Sequence, residues 1–188
     1  MASVLPLSRY RLSVDQFQEM GRVGILEQES RIELIDGELI DMAPIGSRHA
    51  SVVSLLSMAL ARGCGDLIVW SQNPIVLPPY SEPQPDVVLL ATSVDSYRGA
   101  LPAPGDVLRV IEVAESTLRY DRSVKLPLYA RHGIPEVWIV DLADSRLEVF
   151  QDPDEGVYRS RRELESGDAV SPTALPTVLI ELAAVFPD

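Results

Sequence analysis

The chain has 188 residues, of which 46% are hydrophobic and 23% are charged. This composition excludes a disordered, collagen-like or coiled-coil protein and favours a globular one. The 16 basic residues face 28 acidic ones, which gives a formal net charge of −12 at pH 7. Such a protein is a poor non-specific binder of nucleic acid, because contacts with phosphate need cations. A role on DNA or RNA would therefore need a local basic patch or a bound metal ion.

The sequence predicts a cytoplasmic protein that forms a single domain from residue 1 to 188. No apolar run approaches the ~20 residues of a membrane-spanning helix, and no basic stretch followed by an apolar one marks a signal peptide. Cys64 is the single cysteine, so it cannot form an internal disulfide. Together with two histidines it makes a poor set of zinc ligands.

Two helices are predicted in the first third of the chain. Ser13 and Gln16 have the spacing of a capping box, which predicts a helix that continues to about Leu26. The apolar spacing over Ser47–Arg62 predicts a second helix. His49 lies at the start of this helix, either as a packed and hydrogen-bonded side chain or at the margin of a functional site.

A β-hairpin is predicted between these two helices. Two strand-like runs, Arg31–Ile35 and Glu38–Met42, flank Asp36-Gly37, which is a strong signal for a two-residue turn. Alternation along the strands then places Glu33 and Glu38 on one face. Two carboxylates on one face indicate either a solvated hairpin face or the half-buried acidic edge of a site.

The remaining pattern predicts a mixed sheet with a helical crossover. From Ser47 the order is helix, strand, strand, strand, helix, strand, and the last strand should run parallel to the third, which should be central. The strands are predicted at Leu67–Trp70 (continuing to about Leu77), Asp86–Leu90, Val107–Val113 and Glu136–Asp141, and the crossover helix at Asp121–His132 with a kink or a delayed first turn at Pro127. A C-terminal hairpin is predicted from Arg146–Phe150 and Tyr158–Arg162, and Leu175–Phe186 is either a helix or an edge strand.

Two carboxylates are expected to meet at one end of this sheet. If Asp86–Ala91 pairs antiparallel with Val107–Glu112 in the symmetric register, Asp86 lies opposite Glu112. Burying two like charges is costly unless a cation lies between them or one stays protonated. Hard oxygen ligands with open coordination positions suit Mg²⁺ or Mn²⁺. Taken singly, Asp86 could instead be a turn residue after Pro85, and Glu112 could form a structural salt bridge.

Lys125 is the single lysine in a chain with 15 arginines. Its rarity fits a compositional bias towards arginine, but a site that needs a compact ammonium group would also select lysine. Lys125 lies on the helix that leaves the Glu112 end of the central strand, so it could reach a water or a phosphate near a metal ion. Arg119, Arg122 and Arg131 surround it and form either a local basic patch or a solvated helix face.

These features resemble the PD-(D/E)XK nuclease superfamily, and in particular a bacterial family of restriction-endonuclease-like proteins whose cellular role is uncharacterised. The resemblance covers roughly Tyr10 to Asp141. The motifs that carry it are Glu33-Leu34-Ile35-Asp36-Gly37-Glu38-Leu39, His49 at a helix start, Glu82-Pro83-Gln84-Pro85-Asp86, Val110-Ile111-Glu112-Val113-Ala114-Glu115-Ser116-Thr117-Leu118-Arg119-Tyr120-Asp121, Lys125, Tyr129 and Gly133-Ile134-Pro135-Glu136-Val137-Trp138-Ile139-Val140-Asp141.

The resemblance implies an α/β fold with a restriction-endonuclease-like αβββαβ core, about residues 31–141, extended by an N-terminal helix and hairpin and a C-terminal hairpin. It implies that Asp86, Glu112 and the carbonyl of Val113 hold the metal ion and that Lys125 activates or orients the attacking water. The superfamily places its lysine two residues after the glutamate, where this chain has Ala114, so Lys125 would be a migrated lysine.

Two residues have weaker site assignments in the resemblance. Glu38 matches an acidic position that often lies at the edge of the site, and His49 approaches the same place.

The function that the resemblance implies is a Mg²⁺- or Mn²⁺-dependent endonuclease that hydrolyses phosphodiester bonds of DNA, with a homodimer expected for cleavage of two strands. The alternative is a catalytically silent module on the same fold that binds nucleic acid or a protein. The net charge of −12 favours the silent module, and the intact set of Asp86, Glu112 and Lys125 favours the enzyme. Other hydrolases have little support, because the chain has neither a Gly-x-Ser-x-Gly elbow nor a phosphate-binding glycine loop.

Overall fold

A computed structural model of the protein describes residues 8–27 and 30–186. Its contacts divide the chain into two compact units, one formed by Met1–Ala43 and Val76–Pro83 and the other by Pro44–Ile75 and Gln84–Asp188. The sequence-based prediction of a single domain over residues 1–188 stays a prediction. Within the described residues, no helix has the length and the apolar character needed to cross a membrane.

The first unit begins with helix α1, Val14–Arg22. The predicted capping box is confirmed, since the Gln16 N–H donates to Ser13 Oγ at 3.2 Å and the Ser13 N–H donates to Gln16 Oε1 at 3.0 Å. The helix ends earlier than the predicted Leu26. Gly24 adopts a φ of +80°, a left-handed conformation that does not continue a right-handed helix.

The same unit contains the predicted hairpin, formed by β1 (Ile32–Ile35) and β2 (Glu38–Asp41). Ile35 pairs with Glu38, and the turn residues Asp36 and Gly37 have φ values of +49° and +84°, as a type I′ turn requires. The hairpin face is divided: Glu33 is 2% exposed, whereas Glu38 is exposed. With one carboxylate buried and the other exposed, the face is not simply solvated, and its role as the half-buried acidic edge of a site stays a prediction.

The second unit is built on a six-stranded mixed sheet. Its strand order is β3-β4-β5-β6-β7-β8, in which β5 and β6 are parallel and all other neighbours are antiparallel. The strands are β3 (Ile68–Ser71), β4 (Val87–Leu90), β5 (Val107–Ala114), β6 (Glu136–Asp141), β7 (Arg146–Asp154) and β8 (Val157–Glu165). With helix α2 (Ser47–Ala61) before β3 and a helical crossover between β5 and β6, the predicted αβββαβ order is confirmed.

Strands β5 and β6 are apolar and buried along most of their length. Such strands require cover on both faces of the sheet. One face of the sheet packs against α2 through a core that includes Leu56, Leu60 and Ile111. Residues at alternate positions of β5 point to the other face, where the crossover helix lies. The C-terminal segment contributes a short strand pair and a terminal helix, namely β9 (Ala169–Val170), β10 (Ile180–Glu181) and α5 (Leu182–Val185).

Several predicted boundaries are corrected by the structure. Strand β3 ends at Ser71 rather than near Leu77, because Gln72 has a φ of +52° and its N–H bonds to the carbonyl of Asp86. Strand β4 begins at Val87, so Asp86 lies immediately before it. The C-terminal hairpin is longer than predicted: β7 begins at Arg146 as predicted but continues to Asp154, and β8 runs from Val157 to Glu165.

The crossover helix has three parts, which are α3 (Leu118–Tyr120), a π-helical turn (Asp121–Lys125) and α4 (Leu126–Arg131). It begins three residues before the predicted Asp121. The Leu126 N–H bonds to the Asp121 carbonyl, five residues back, which defines the π turn. Pro127 follows at once, in the first turn of α4, where its missing N–H is tolerated. The predicted irregularity around this proline therefore takes the form of a π turn.

Candidate active site

Asp86 immediately precedes β4, which pairs with β5. Val87 pairs with Ile111 and Leu89 with Arg109, which is the predicted register. Extended by one residue, this register places Asp86 opposite Glu112, and side chains of directly opposed residues share a face. A register shift occurs between Leu89 and Leu90, at the far end of the pairing, so it leaves the Asp86 end unchanged.

The Asp86 carboxylate is held by two donors. The Val113 N–H donates to Oδ2 at 2.8 Å, and His49 Nε2 lies 3.1 Å from both Oδ1 and Oδ2. The side chains of Asp86 and His49 are 13% and 14% exposed. Because Asp86 precedes the first residue of β4, it lies at the end of the sheet, where the first turn of α2 can reach it.

The Glu112 carboxylate lies under the crossover helix. Glu112 is 4% exposed, and its Oε1 atom is 3.3 Å from Lys125 Nζ. The Tyr129 hydroxyl donates to the same oxygen at 2.5 Å. Lys125 and Tyr129 are four residues apart, so they project from the same side of the helix. Lys125 is itself only 5% exposed, which is unusual for a lysine and is accounted for by its ion pair.

Polar contacts fix the π turn that carries Lys125. The Thr117 hydroxyl donates to Asp121 Oδ2 at 2.7 Å at the start of the turn. Arg122 Nε donates to Glu148 Oε2 at 2.6 Å, and Arg161 from β8 binds the other oxygen of Glu148. The turn is therefore anchored both to its own N-terminal end and to strand β7. The contacts with Glu148 are not apparent from the sequence of the turn, because they depend on strands β7 and β8.

The oxygen donors at this end of the sheet fit a hard divalent cation. Among residues 8–27 and 30–186, no three His, Cys, Asp or Glu side chains form a metal-binding group. The candidate ligands expected here are the carboxylates of Asp86 and Glu112 together with backbone oxygen. Mg²⁺ commonly binds through one or two carboxylates and completes its coordination with water and substrate phosphate.

The carbonyl of Val113 is directed towards the Asp86 side of β5. The N–H and C=O groups of one strand residue point to the same side, and the Val113 N–H already bonds to Asp86. The next carbonyl, that of Ala114, points the other way and accepts from the Leu142 N–H at 2.9 Å. The Val113 carbonyl therefore points to the side of β5 that faces Asp86, and its role as a metal ligand stays a prediction.

The other predicted residues have different surroundings. Glu38 belongs to the first compact unit, where it is exposed and forms a 3.0 Å salt bridge with Arg9. Of the arginines around Lys125, Arg122 is committed to Glu148 and Arg119 is exposed. A solvated and partly neutralised helix face therefore describes these arginines better than an open basic patch.

Comparison with known proteins gives one family match and structural matches. The family model described as "Uma2: Putative restriction endonuclease" matches residues 14–184. No curated protein matches the chain. A solved structure described as that of a "putative nuclease belonging to DUF820" from Anabaena variabilis ATCC 29413 matches with a TM-score of 0.74 and 15% identity, over 93% of this chain and 97% of that one.

The structural match, at this low identity, shows a shared restriction-endonuclease-like fold. The family model spans nearly the whole chain, including every element that forms the site. The chain therefore belongs to the Uma2 family of restriction-endonuclease-like proteins.

Proposed function

We propose that the protein is a metal-dependent endonuclease that hydrolyses phosphodiester bonds of DNA with Mg²⁺ or Mn²⁺. The family and the fold support a nuclease. The observation that carries the finer proposal is the 3.3 Å contact of Lys125 with Glu112, on a strand whose register with β4, extended by one residue, sets Asp86 opposite Glu112.

In this proposal Asp86, Glu112 and the Val113 carbonyl hold the metal ion. When bound, the ion supplies neutralisation of phosphate charge and a more acidic water molecule. The two carboxylates come from neighbouring strands, so the sheet sets their spacing. His49 positions Asp86 through its contacts with both carboxylate oxygens. Glu38, in the first compact unit, is not part of this proposed set of ligands.

In this proposal Lys125 supplies a positively charged hydrogen-bond donor to the reaction. Its Nζ atom can donate hydrogen bonds to the attacking water or to a non-bridging phosphate oxygen, where negative charge develops in the transition state. It reaches Glu112 from the crossover helix, whereas the superfamily pattern would place a lysine at position 114. The 3.3 Å contact with Glu112 supports the interpretation that the lysine has migrated to the helix.

The proposed substrate and assembly follow from the chemistry of cleavage. DNA with a net negative charge meets a protein of net charge −12, so productive binding depends on the bound cation and Lys125. A cytoplasmic homodimer would present two such sites, one for each strand of a duplex.

A titration of plasmid cleavage with Mn²⁺ and Mg²⁺ tests this proposal. The full chain should convert supercoiled plasmid to nicked or linear forms only when the metal is present, and Asp86→Ala should abolish the conversion. If neither metal supports cleavage and the melting temperature is the same with and without Mn²⁺, the protein is a silent module on the nuclease fold.

A further inference from the structure

We propose that Tyr129 is a positioning residue that orients the Glu112 carboxylate for binding of the divalent metal ion. The inference rests on the proposed metal-dependent function. Tyr129 is 0% exposed in α4, and its hydroxyl donates to Glu112 Oε1 at 2.5 Å. No role for this tyrosine follows from the strand pattern alone, since it acts on the site from the crossover helix.

Tyr129 shares its acceptor oxygen with Lys125. Lys125 Nζ lies 3.3 Å from the same Oε1 atom, so one helix face applies two donors to one carboxylate oxygen. Two donors in different directions fix the rotation of the carboxylate group, and with it the direction of the second oxygen, Oε2. Partners of this kind around a metal ligand typically account for about 10- to 100-fold in metal affinity.

The chemical identity of residue 129 supports the same conclusion. Its neighbours Leu128 and Ala130 are buried apolar residues, so a phenylalanine at position 129 would fill the same space. Burying a hydroxyl group is costly unless it is hydrogen-bonded, so the tyrosine needs its acceptor. Glu112, itself 4% exposed, supplies that acceptor, and the two buried polar groups satisfy each other.

The cationic donor, Lys125, and the neutral donor, Tyr129, have different effects on Glu112. Lys125 supplies charge to Glu112, and a charge can act from a range of directions. The Tyr129 hydroxyl carries no charge and acts along one O–H direction, so its contribution is directional. Removal of the hydroxyl should therefore weaken metal binding while the charge balance of the site stays the same.

The experiment compares Tyr129→Phe with Tyr158→Phe in the full chain. Tyr158 is a matched control, because its hydroxyl also donates a hydrogen bond, to the Ile134 carbonyl at 2.8 Å, at a position on β8. The dissociation constant for Mn²⁺ is measured by calorimetry with Mn²⁺ alone. We expect Tyr129→Phe to raise it about 10-fold and Tyr158→Phe to leave it unchanged, while both variants melt at a lower temperature than wild type.

Cleavage kinetics provide a second measurement. With Tyr129→Phe, the Mn²⁺ concentration for half-maximal cleavage should rise, and saturating Mn²⁺ should restore most of the maximal rate. If the variant does not fold, crystals of the wild-type protein soaked in Mn²⁺ give the answer: the Tyr129 hydroxyl should stay bonded to Oε1 while the metal ion binds Oε2.

The outcomes separate this inference from the function on which it rests. A wild-type protein that binds Mn²⁺, together with a Tyr129→Phe variant of equal affinity, overturns the positioning role and leaves the nuclease proposal standing. A soaked crystal in which Mn²⁺ displaces the hydroxyl from Oε1 overturns it as well. A wild-type protein that binds no Mn²⁺ overturns the metal-dependent function and this inference together.

Discussion

Strand β5 carries two buried charged side chains, Arg109 and Glu112, on opposite faces of the sheet. On one face Arg109 is 0% exposed, with Nε 3.3 Å from Glu136 Oε1 and the guanidinium group 4.1 Å from the centre of the Trp138 ring. On the other face Glu112 is 4% exposed and pairs with Lys125. Both are buried ion pairs, so burial and pairing alone do not distinguish them.

The two pairs differ in what surrounds the carboxylate. Glu136 has no second acid opposite it in the register, and its oxygens accept from the Trp138 indole N–H at 2.6 Å and the Thr173 N–H at 3.1 Å. Burial lowers the pKa of Arg109 to about 10, while Glu136 acts in the opposite direction. For Glu112, the register of β4 with β5, extended by one residue, places Asp86 opposite it. A second carboxylate at a strand end, rather than a buried charge, marks the candidate site.

The largest expected difference between the two faces is in catalysis. Asp86→Asn keeps the size of the side chain and an acceptor for the Val113 N–H but removes the negative charge. We expect at least about a 100-fold loss of Mn²⁺-dependent cleavage, since the charge that holds the metal ion is gone. Glu136→Gln should keep the wild-type rate per folded molecule. Cleavage assays at saturating Mn²⁺ compare the two, and wild-type activity in Asp86→Asn would contradict the site.

A second comparison removes the cation from each pair. Lys125→Met should reduce cleavage by about 100-fold or more, the usual contribution of a group that assists proton transfer. Arg109→Met should instead reduce the free energy of unfolding by about 3–5 kcal/mol, because it leaves Glu136 as a buried charge without its cation. Cleavage rates, measured below the melting temperature, give the loss of activity. Urea denaturation curves give the loss of free energy of unfolding. Equal effects of both variants on the cleavage rate would contradict the proposal that only the Glu112 face carries the catalytic site.

A comparison of His49 with His132 tests an effect that we expect to be intermediate in size. His49→Ala removes the contact with both Asp86 oxygens and should weaken Mn²⁺ affinity about 10-fold. His132→Ala is the control, because His132 follows α4 and its Nδ1 atom lies 2.9 Å from the Leu128 carbonyl. Calorimetric titration with Mn²⁺ measures both variants. If His49→Ala binds Mn²⁺ as tightly as wild type, His49 has only a structural role at the start of α2.

The smallest expected effect is a pH dependence of stability at Tyr158. Burial raises the pKa of Tyr158 above its ordinary value of 10.0. At high pH the unfolded chain loses this proton while the folded protein keeps it, so stability is full below pH 10 and declines as pH rises above it. The free-energy advantage of wild type over Tyr158→Phe should therefore shrink between about pH 9 and pH 11. Denaturation curves across this range measure the change, and a growing advantage would contradict the sign.

The strand register of the site could be predicted because it depends on local features. Asp86–Leu90 and Val107–Glu112 are short apolar strands, and each carboxylate interrupts or precedes an apolar run. Once these two strands are assumed to pair antiparallel, their lengths alone predict which residue lies opposite Asp86. The register shift between Leu89 and Leu90, which leaves Leu108 of β5 unpaired, depends on how the preceding loop enters β5 and is not apparent from the sequence.

Other parts of the site depend on packing that the sequence does not display. The π turn at Asp121–Lys125 is anchored by Glu148, which lies on a strand that follows it in the chain. The role of Tyr129 depends on where α4 crosses β5. Its spacing of four residues from Lys125 was visible in the sequence and would have placed both on one helix face. The acceptor that they share becomes apparent only with the fold.

The most direct test of the account is the structure of the protein crystallised with Mn²⁺ and measured at a wavelength where manganese scatters anomalously. The account predicts an anomalous peak between the carboxylates of Asp86 and Glu112, with at least one oxygen of each as a ligand and Lys125 Nζ beside the ion. A protein that binds Mn²⁺ elsewhere, while these two carboxylates keep the contacts that they make without metal, would contradict it.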